Sequence, residues 1–298
     1  MEIYSSGKVL LTGEYVILDG ALSLASPTKF GQHLKFKENQ SNLINWKSIN
    51  YDGKIWFECS IKNENLQIKS TSSKKVSDTL IRIINLIREY NPYFLKNNGS
   101  DISSNLTFDK NWGLGSSSTL ISNLAILSGV DPYMLNSKIF KGSGFDIACA
   151  NSFSQIVYRL NKGQNIIDEV SFKPPFYKKI YFIYLNNKQS SISEIEKYKN
   201  NKASESVINE ISNITSMILK CKSIEEYDKL IESHELIISK LISKPTIKES
   251  LFKDFNGSIK SLGAWGGDMI MATSDTEPNR YFKEKGYSTI FKFEELLV

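Results

Sequence analysis

Three glycine-rich turns punctuate the chain: Ser6-Gly-Lys-Val-Leu-Leu-Thr-Gly-Glu-Tyr15, Asn111-Trp-Gly-Leu-Gly-Ser-Ser-Ser118 and Gly263-Ala-Trp-Gly-Gly-Asp268. The middle one constrains the fold most, because it falls between a strand-like run at 102–108 and a helix-like run at 119–128. Glycine lets a backbone approach a ligand closely. A helix start offers unpaired N–H groups and about half a positive charge. Together they make a phosphate site. Taken alone, the segment reads equally well as a loop followed by a serine-capped helix.

The runs around these turns alternate between the two periods. Strand patterns cover 8–11, 15–18 and 21–25, the last two joined by an Asp19-Gly20 turn, and then 32–37. Residues 44–70 alternate apolar and polar about a second hairpin turn, Tyr51-Asp52-Gly53-Lys54. Leu80, Ile83, Ile84, Ile87 and Tyr90 share one helical face in 77–90, with Pro92 beyond. A further short glycine turn, Gly142-Ser-Gly144, opens a helix at 145–152, followed by strands at 156–160 and 166–172. Pro174-Pro175 marks a boundary. Beyond it come a strand at 179–185, long helices at 193–221 and 224–243, and strands at 259–262 and 269–272 around the third turn. A short helix at 278–285 and a strand at 289–293 end the chain. Strands and helices alternate without a regular βαβ repeat, so two α+β lobes are expected, 1–173 and 174–298.

Composition narrows the function classes. A chain of 298 residues, 41% hydrophobic, is long enough to bury a sizeable core. The net charge of +5 is scattered, where a nucleic-acid binder gathers Lys and Arg into a stripe. The excess suits an anionic ligand such as ATP. Three cysteines without a CxxC pair, and no secretory signal, point to a reducing cytoplasm. No apolar run is long enough to span a bilayer. With only His33 and His234, a multi-histidine metal centre or a Ser-His-Asp triad is not expected.

In order, the three turns resemble the three signature motifs of the GHMP kinases, and the resemblance runs over nearly the whole chain. Ser143-Gly-Phe-Asp-Ile-Ala148 is similar to the segment that names the GYDIA branch, with Phe145 in place of tyrosine. It also resembles the Gly-Ser-Gly-Phe-Asp stretch of phosphomevalonate kinases and the Ser-Gly-x-Asp of mevalonate kinases. The resemblance implies a two-lobed GHMP kinase fold: an N-terminal ATP-binding lobe like ribosomal protein S5 domain 2 and a C-terminal ferredoxin-like lobe. It places ATP and substrate in the cleft between them.

The resemblance also assigns roles. Lys8 would neutralise charge near the acceptor and the transferred phosphoryl group. Asp146 would be the general base on the acceptor hydroxyl. Ser143 and Asp146 also stand in the spacing of a helix-capping box. Gly113, Leu114, Gly115, Ser116, Ser117 and Ser118 would cradle the phosphates of ATP, with Ser117 assisting Mg²⁺. Glu14, Ser143, Gly144, Gly266 and Gly267 would meet the substrate, although Glu14 fits a structural role as well.

Two features depart from the family. Between Thr119 and Phe145 there is no glutamate to match the family's metal ligand, and the only carboxylate there, Asp131, precedes Pro132 and reads as a turn. Trp265 stands where the third motif usually has glycine, and its indole would crowd the turn or wall the substrate pocket. Lys141 and Lys188 are best read as solvated. The expected partner is a small anionic metabolite, with no nucleic acid or membrane, in a monomer or homodimer. The function implied is phosphoryl transfer in the mevalonate pathway, onto phosphomevalonate or mevalonate. The alternatives are a GHMP kinase or decarboxylase with another acceptor, and a non-catalytic nucleotide-binding regulator.

Overall fold

The computed structural model describes residues 1–161, 164–189, 191–198 and 202–298. They form two compact units that interleave along the chain. The first comprises Met1–Gly7, Phe30–Lys110 and Leu114–Asn151; the second comprises Lys8–Lys29, Asn111–Gly113 and Ser152–Val298. Strands β1 (Glu2–Leu10) and β2 (Ser23–Asn39) each run through both units. The lobes expected at 1–173 and 174–298 divide the chain by order; compactness divides it by contact, and the two schemes differ at 8–29, 111–113 and 152–173.

In the first unit, β3 (Leu43–Ile49), β4 (Ile55–Lys62), β5 (Ile68–Thr71) and β6 (Gly99–Leu106) join the second half of β2 in the order β5-β4-β3-β6-β2. The β3–β6 pair is parallel and the others are antiparallel. Alternation buries Ile44, Trp46, Phe57 and Ile61 on one face. Against that face lies α1 (Lys74–Tyr90), which buries Leu80, Ile83, Ile84 and Ile87 of the stripe its spacing predicts, while Tyr90, expected on the same face, is exposed at the helix end. Helices α2 (Ser116–Ser128), α3 (Pro132–Ile139) and α4 (Phe145–Ala150) complete the layer with Ile121, Leu124, Leu135 and Ile147.

In the second unit, β2 pairs through Ser23–Ala25 with β7 (Gln155–Asn161), which pairs with β8 (Gln164–Val170). A separate antiparallel sheet has the order β10-β11-β9-β12, with β9 (Ile180–Tyr184), β10 (Ile259–Leu262), β11 (Met269–Thr273) and β12 (Ile290–Lys292). Its helices are α5 (Ser191–Tyr198), α6 (Glu205–Lys220), α7 (Ile224–Ile242), α8 (Ile247–Leu251), α9 (Asn279–Glu284) and α10 (Phe293–Leu296).

Four local expectations are corrected. Residues 15–18 form no strand: Val16–Asp19 is a 3₁₀ turn, entered through Tyr15 at φ 64 and left through Gly20 at φ 92. Leu11 and Thr12 N–H both bond the Leu24 carbonyl, so the chain folds back before a hairpin can start. The helix expected over 193–221 is two helices, because the Ser204 hydroxyl caps a fresh start by accepting from Val207 N–H. Residues 199–201 of that expectation lie outside the described residues. Asp131-Pro132 is a helix start, with the Asp131 carboxylate accepting from Tyr133 N–H at 3.0 Å and proline at the first helical position. Finally, α8 and α10 were missed, each being a single short turn.

Candidate active site

In the first unit the site is built on two helix starts of the same construction. Gly115, at φ 91, is the N-cap of α2, and Gly144, at φ 94, is the N-cap of α4; neither helix has a side-chain cap. A glycine in this left-handed region brings no Cβ over the helix end, so the first-turn N–H groups face outward. At α2 the Ser118 hydroxyl turns back to the Gly115 carbonyl at 2.8 Å, and Thr119 bonds Gln32 at 2.7 Å. Ser118 is thus committed to the turn, while Ser117 is exposed on the first helical turn and Ser116 is half-buried beside it. Leu114 is buried and anchors the loop.

At α4 the capping box anticipated from Ser143 and Asp146 does not form, because the N-cap is Gly144. Asp146 lies half-buried in the first turn, where one carboxylate oxygen accepts from Ile147 N–H at 3.2 Å. A carboxylate there is stabilised by the helix dipole. Ser143 and Gly144 lead directly into this turn.

In the second unit Lys8 projects from β1, and its Nζ donates to the Gly113 carbonyl at 2.9 Å. Gly113 in turn packs against Asp268: a methyl group on Gly113 would fall 2.6 Å from Asp268 Cγ. Gly266 and Gly267 are tied to the segment after β9. The Gly266 carbonyl accepts from Asn187 at 2.9 Å and from Gln189 at 3.1 Å, and a Cβ on Gly267 would meet the Asn187 carbonyl at 2.3 Å. Trp265 neither crowds the turn nor walls a pocket. It is buried inward among Tyr15, Val16, Tyr198, Ile211 and Ile238, and its N–H donates to the Tyr15 hydroxyl.

Glu14 departs from the role expected of it. Only 1% exposed, it meets the fully buried Lys260 ammonium at 2.5 Å, inside the protein and out of reach of a ligand. The same interior holds His234 and Glu235 of α7. Burial and Lys260 hold the His234 imidazole well below its usual range, so it is neutral, and its Nε2 accepts from Gly13 N–H at 2.9 Å. Its 3.4 Å approach to Glu14 is therefore no ion pair. Burial also pushes Glu14 up, against the pull of Lys260, and pushes Glu235 up to about 7 while its oxygens accept from Ser261 N–H and Oγ. The cluster ties the turn after β1 to β10 and α7.

Comparison of the sequence with protein-family models and with curated proteins finds no match. Solved structures do match. The Methanococcus jannaschii mevalonate kinase superposes with TM-score 0.68 and 18% identity, covering 98% of this chain and 96% of that one. A Streptococcus pneumoniae phosphomevalonate kinase, solved in complex with phosphomevalonate and AMPPNP, gives 0.70 at 16% identity over 96% and 95%. A Lactococcus lactis galactokinase complexed with galactose gives 0.67 at 12% identity over 97% and 92%. The fold is that of the GHMP kinases. Within the GHMP fold, the three turns quoted from the sequence fall at the start of α2, after β1 and between β10 and β11.

Sequence reasoning did not assign Asp268 or the Glu14–Lys260–Glu235–His234 cluster. Asp268 stood inside a quoted motif, and its signal was the Gly-Gly-Asp run, since aspartate tolerates the left-handed backbone better than most residues. The cluster left no signal, because its members lie far apart in the chain and Lys260 sits in an ordinary strand pattern. Among the described residues, no group of three His, Cys, Asp or Glu side chains gathers to hold a metal, and no helix is long and apolar enough to cross a membrane.

Proposed function

We propose that the chain is an ATP-dependent kinase of small anionic metabolites, acting on a mevalonate-pathway acceptor, phosphomevalonate ahead of mevalonate. The observation that carries this reading is the pair of glycine-capped helix starts in one unit. One presents uncapped N–H groups and serine hydroxyls; the other sets the Asp146 carboxylate in its first turn, with one oxygen on Ile147 N–H. Phosphate recognition suits the first and proton removal the second. The Gly-Ser-Gly-Phe-Asp stretch at 142–146 favours phosphomevalonate.

In the reaction, the acceptor oxygen forms a bond to the γ-phosphorus of ATP as the bond to the β–γ bridging oxygen breaks. ADP leaves with that electron pair. In the first unit the N–H groups of Ser116 and Ser117 offset charge on the phosphoryl oxygens; for Lys8, in the second unit, the same role follows from the family resemblance. Asp146, as carboxylate, takes the proton of a hydroxyl acceptor. A phosphate acceptor, whose second pKa is about 6, arrives largely ionised and leans less on that base. Mg²⁺ when bound would withdraw charge from the terminal phosphates. The donors suit an ion that keeps most of its waters, with the exposed Ser117 hydroxyl as the protein's oxygen. Asp131, spent on the α3 cap, is not a substitute for the family's glutamate.

The galactokinase superposition favours one further acceptor class, a sugar, and places galactose in the assay. ADP release is measured with MgATP and, in parallel, mevalonate, 5-phosphomevalonate, diphosphomevalonate, homoserine and galactose. Turnover on one acceptor is expected, reduced at least about a hundredfold in Lys8→Met while ATP still binds. Asp146→Asn is expected to cost about as much on a hydroxyl acceptor and less on a phosphate. Silence on every acceptor, with ATP bound, would move the regulator reading ahead.

A further inference from the structure

Asp268 is an expensive residue where it stands. It is 8% exposed and holds a left-handed backbone, φ 51, which non-glycine residues adopt at a cost. Burial raises its carboxyl pKa, the mark of an ionised form that is costly to keep. Asparagine tolerates the same backbone and has the same shape, so neither packing nor φ explains the charge.

The surroundings do. Three hydrogen bonds fix the residue: its N–H donates to the Asn187 carbonyl at 2.7 Å, its carbonyl accepts from Leu185 N–H at 2.8 Å, and Oδ1 accepts from Gln189 N–H at 3.1 Å. The rest of the carboxylate is pressed on Gly113, where an added Cβ would lie 2.9 Å from Oδ2. The Gly113 carbonyl holds the Lys8 ammonium. The positive charges of Lys8 on β1 and Lys188 in the segment after β9 both pull the carboxyl pKa down, against its burial.

We propose that Asp268 is a positioning residue: wedged against Gly113, it holds the Lys8 ammonium and the first glycine of the phosphate turn in one arrangement. The proposal rests on the kinase reading, in which Lys8 must meet the transferred phosphoryl group at a fixed point. A lysine side chain has four rotatable bonds, and fixing it before substrate arrives removes an ordering cost from the chemical step. The third glycine turn thereby acts on the first two: it sets where the cation stands.

Two measurements test this. In the first, the Asp268 carboxyl carbon is titrated by ¹³C NMR in the wild type and in Lys8→Met. Loss of the lysine is expected to move the carboxyl pKa further up, and an unchanged titration overturns the pairing. This readout needs no turnover, so it decides the pairing even if no acceptor is found and the kinase reading falls. In the second, Asp268→Asn is assayed on the active acceptor. The expected result is a fall in kcat on the order of tenfold or more, with KM for ATP little changed. A structural role alone would lower stability and raise KM together; that result, or an unchanged kcat in an active enzyme, overturns the proposal and leaves the kinase reading standing.

Discussion

Glu235 accepts two hydrogen bonds from Ser261 in an interior that also holds Lys260 and Glu14, so its proton is tied to folding. The unfolded side chain releases that proton near 4.5 and the folded one near 7. Between those values the folded state keeps a proton the unfolded chain has lost, so this contribution to stability falls as pH rises and levels off above about 7. The drop is on the order of 3 kcal/mol at most. Urea denaturation at intervals from pH 5 to 8 should show it, and Glu235→Gln should flatten the slope; an equally steep slope in the variant would assign the effect elsewhere. Gly113→Ala belongs to the same scale. It forces a Cβ to 2.6 Å from Asp268 Cγ at φ 74, with an expected cost of roughly 1–3 kcal/mol that a melting curve would register. At this scale motif spacing singles out Lys8, Ser117 and Asp146, whose roles the acceptor assays test. Glu14 was legible as a motif member but not as a buried one, because its fate depends on Lys260, a residue 246 positions away.

Elements whose period is long were legible for the same reason in each case: α1 repeats its apolar stripe over four turns, and β3 and β4 alternate on either side of an Asp-Gly turn. The 3₁₀ turn Val16–Asp19 was not, because Val-Ile-Leu is apolar on every face and fits a buried strand as well as a buried turn. Tertiary contact decides such segments. Here the contact is a small cluster in which Trp265 packs beside Tyr15 and Val16 and against Ile211 of α6 and Ile238 of α7. Trp265→Ala removes the indole from a position 3% exposed and should cost about 3–5 kcal/mol, read as a lower urea midpoint at unchanged slope. A variant as stable as the wild type would mean that the cluster closes over the gap. The split between α5 and α6 follows the same logic in reverse: a local cap at Ser204 overrides a continuous helical pattern.

At the scale of the molecule, the α+β class was legible from the order of strand and helix patterns and the GHMP fold from three short turns. A backbone in the left-handed region constrains such turns to glycine, as at Gly113, Gly115 and Gly263, while packing elsewhere accepts many side chains of similar volume. That tolerance fits superposition over nearly the whole chain at 12–18% identity. What the motifs leave open is which strands belong to which compact unit, since that depends on distant pairings. A fragment starting at 174 would lack residues 8–29 and with them Tyr15, Val16 and Ala21, leaving the faces of Trp265, Ile211 and Ile238 bare. It should aggregate on expression, and a sharp thermal transition from a soluble fragment would count against this division. The interleaving also matters during synthesis. Residues 8–29 leave the ribosome well before their partner β7 and the helices that cover them. Until those elements emerge, Tyr15 and Val16 lack the helices that cover them, and this is the stretch on which chaperones would act and at which a pause in elongation would be costly.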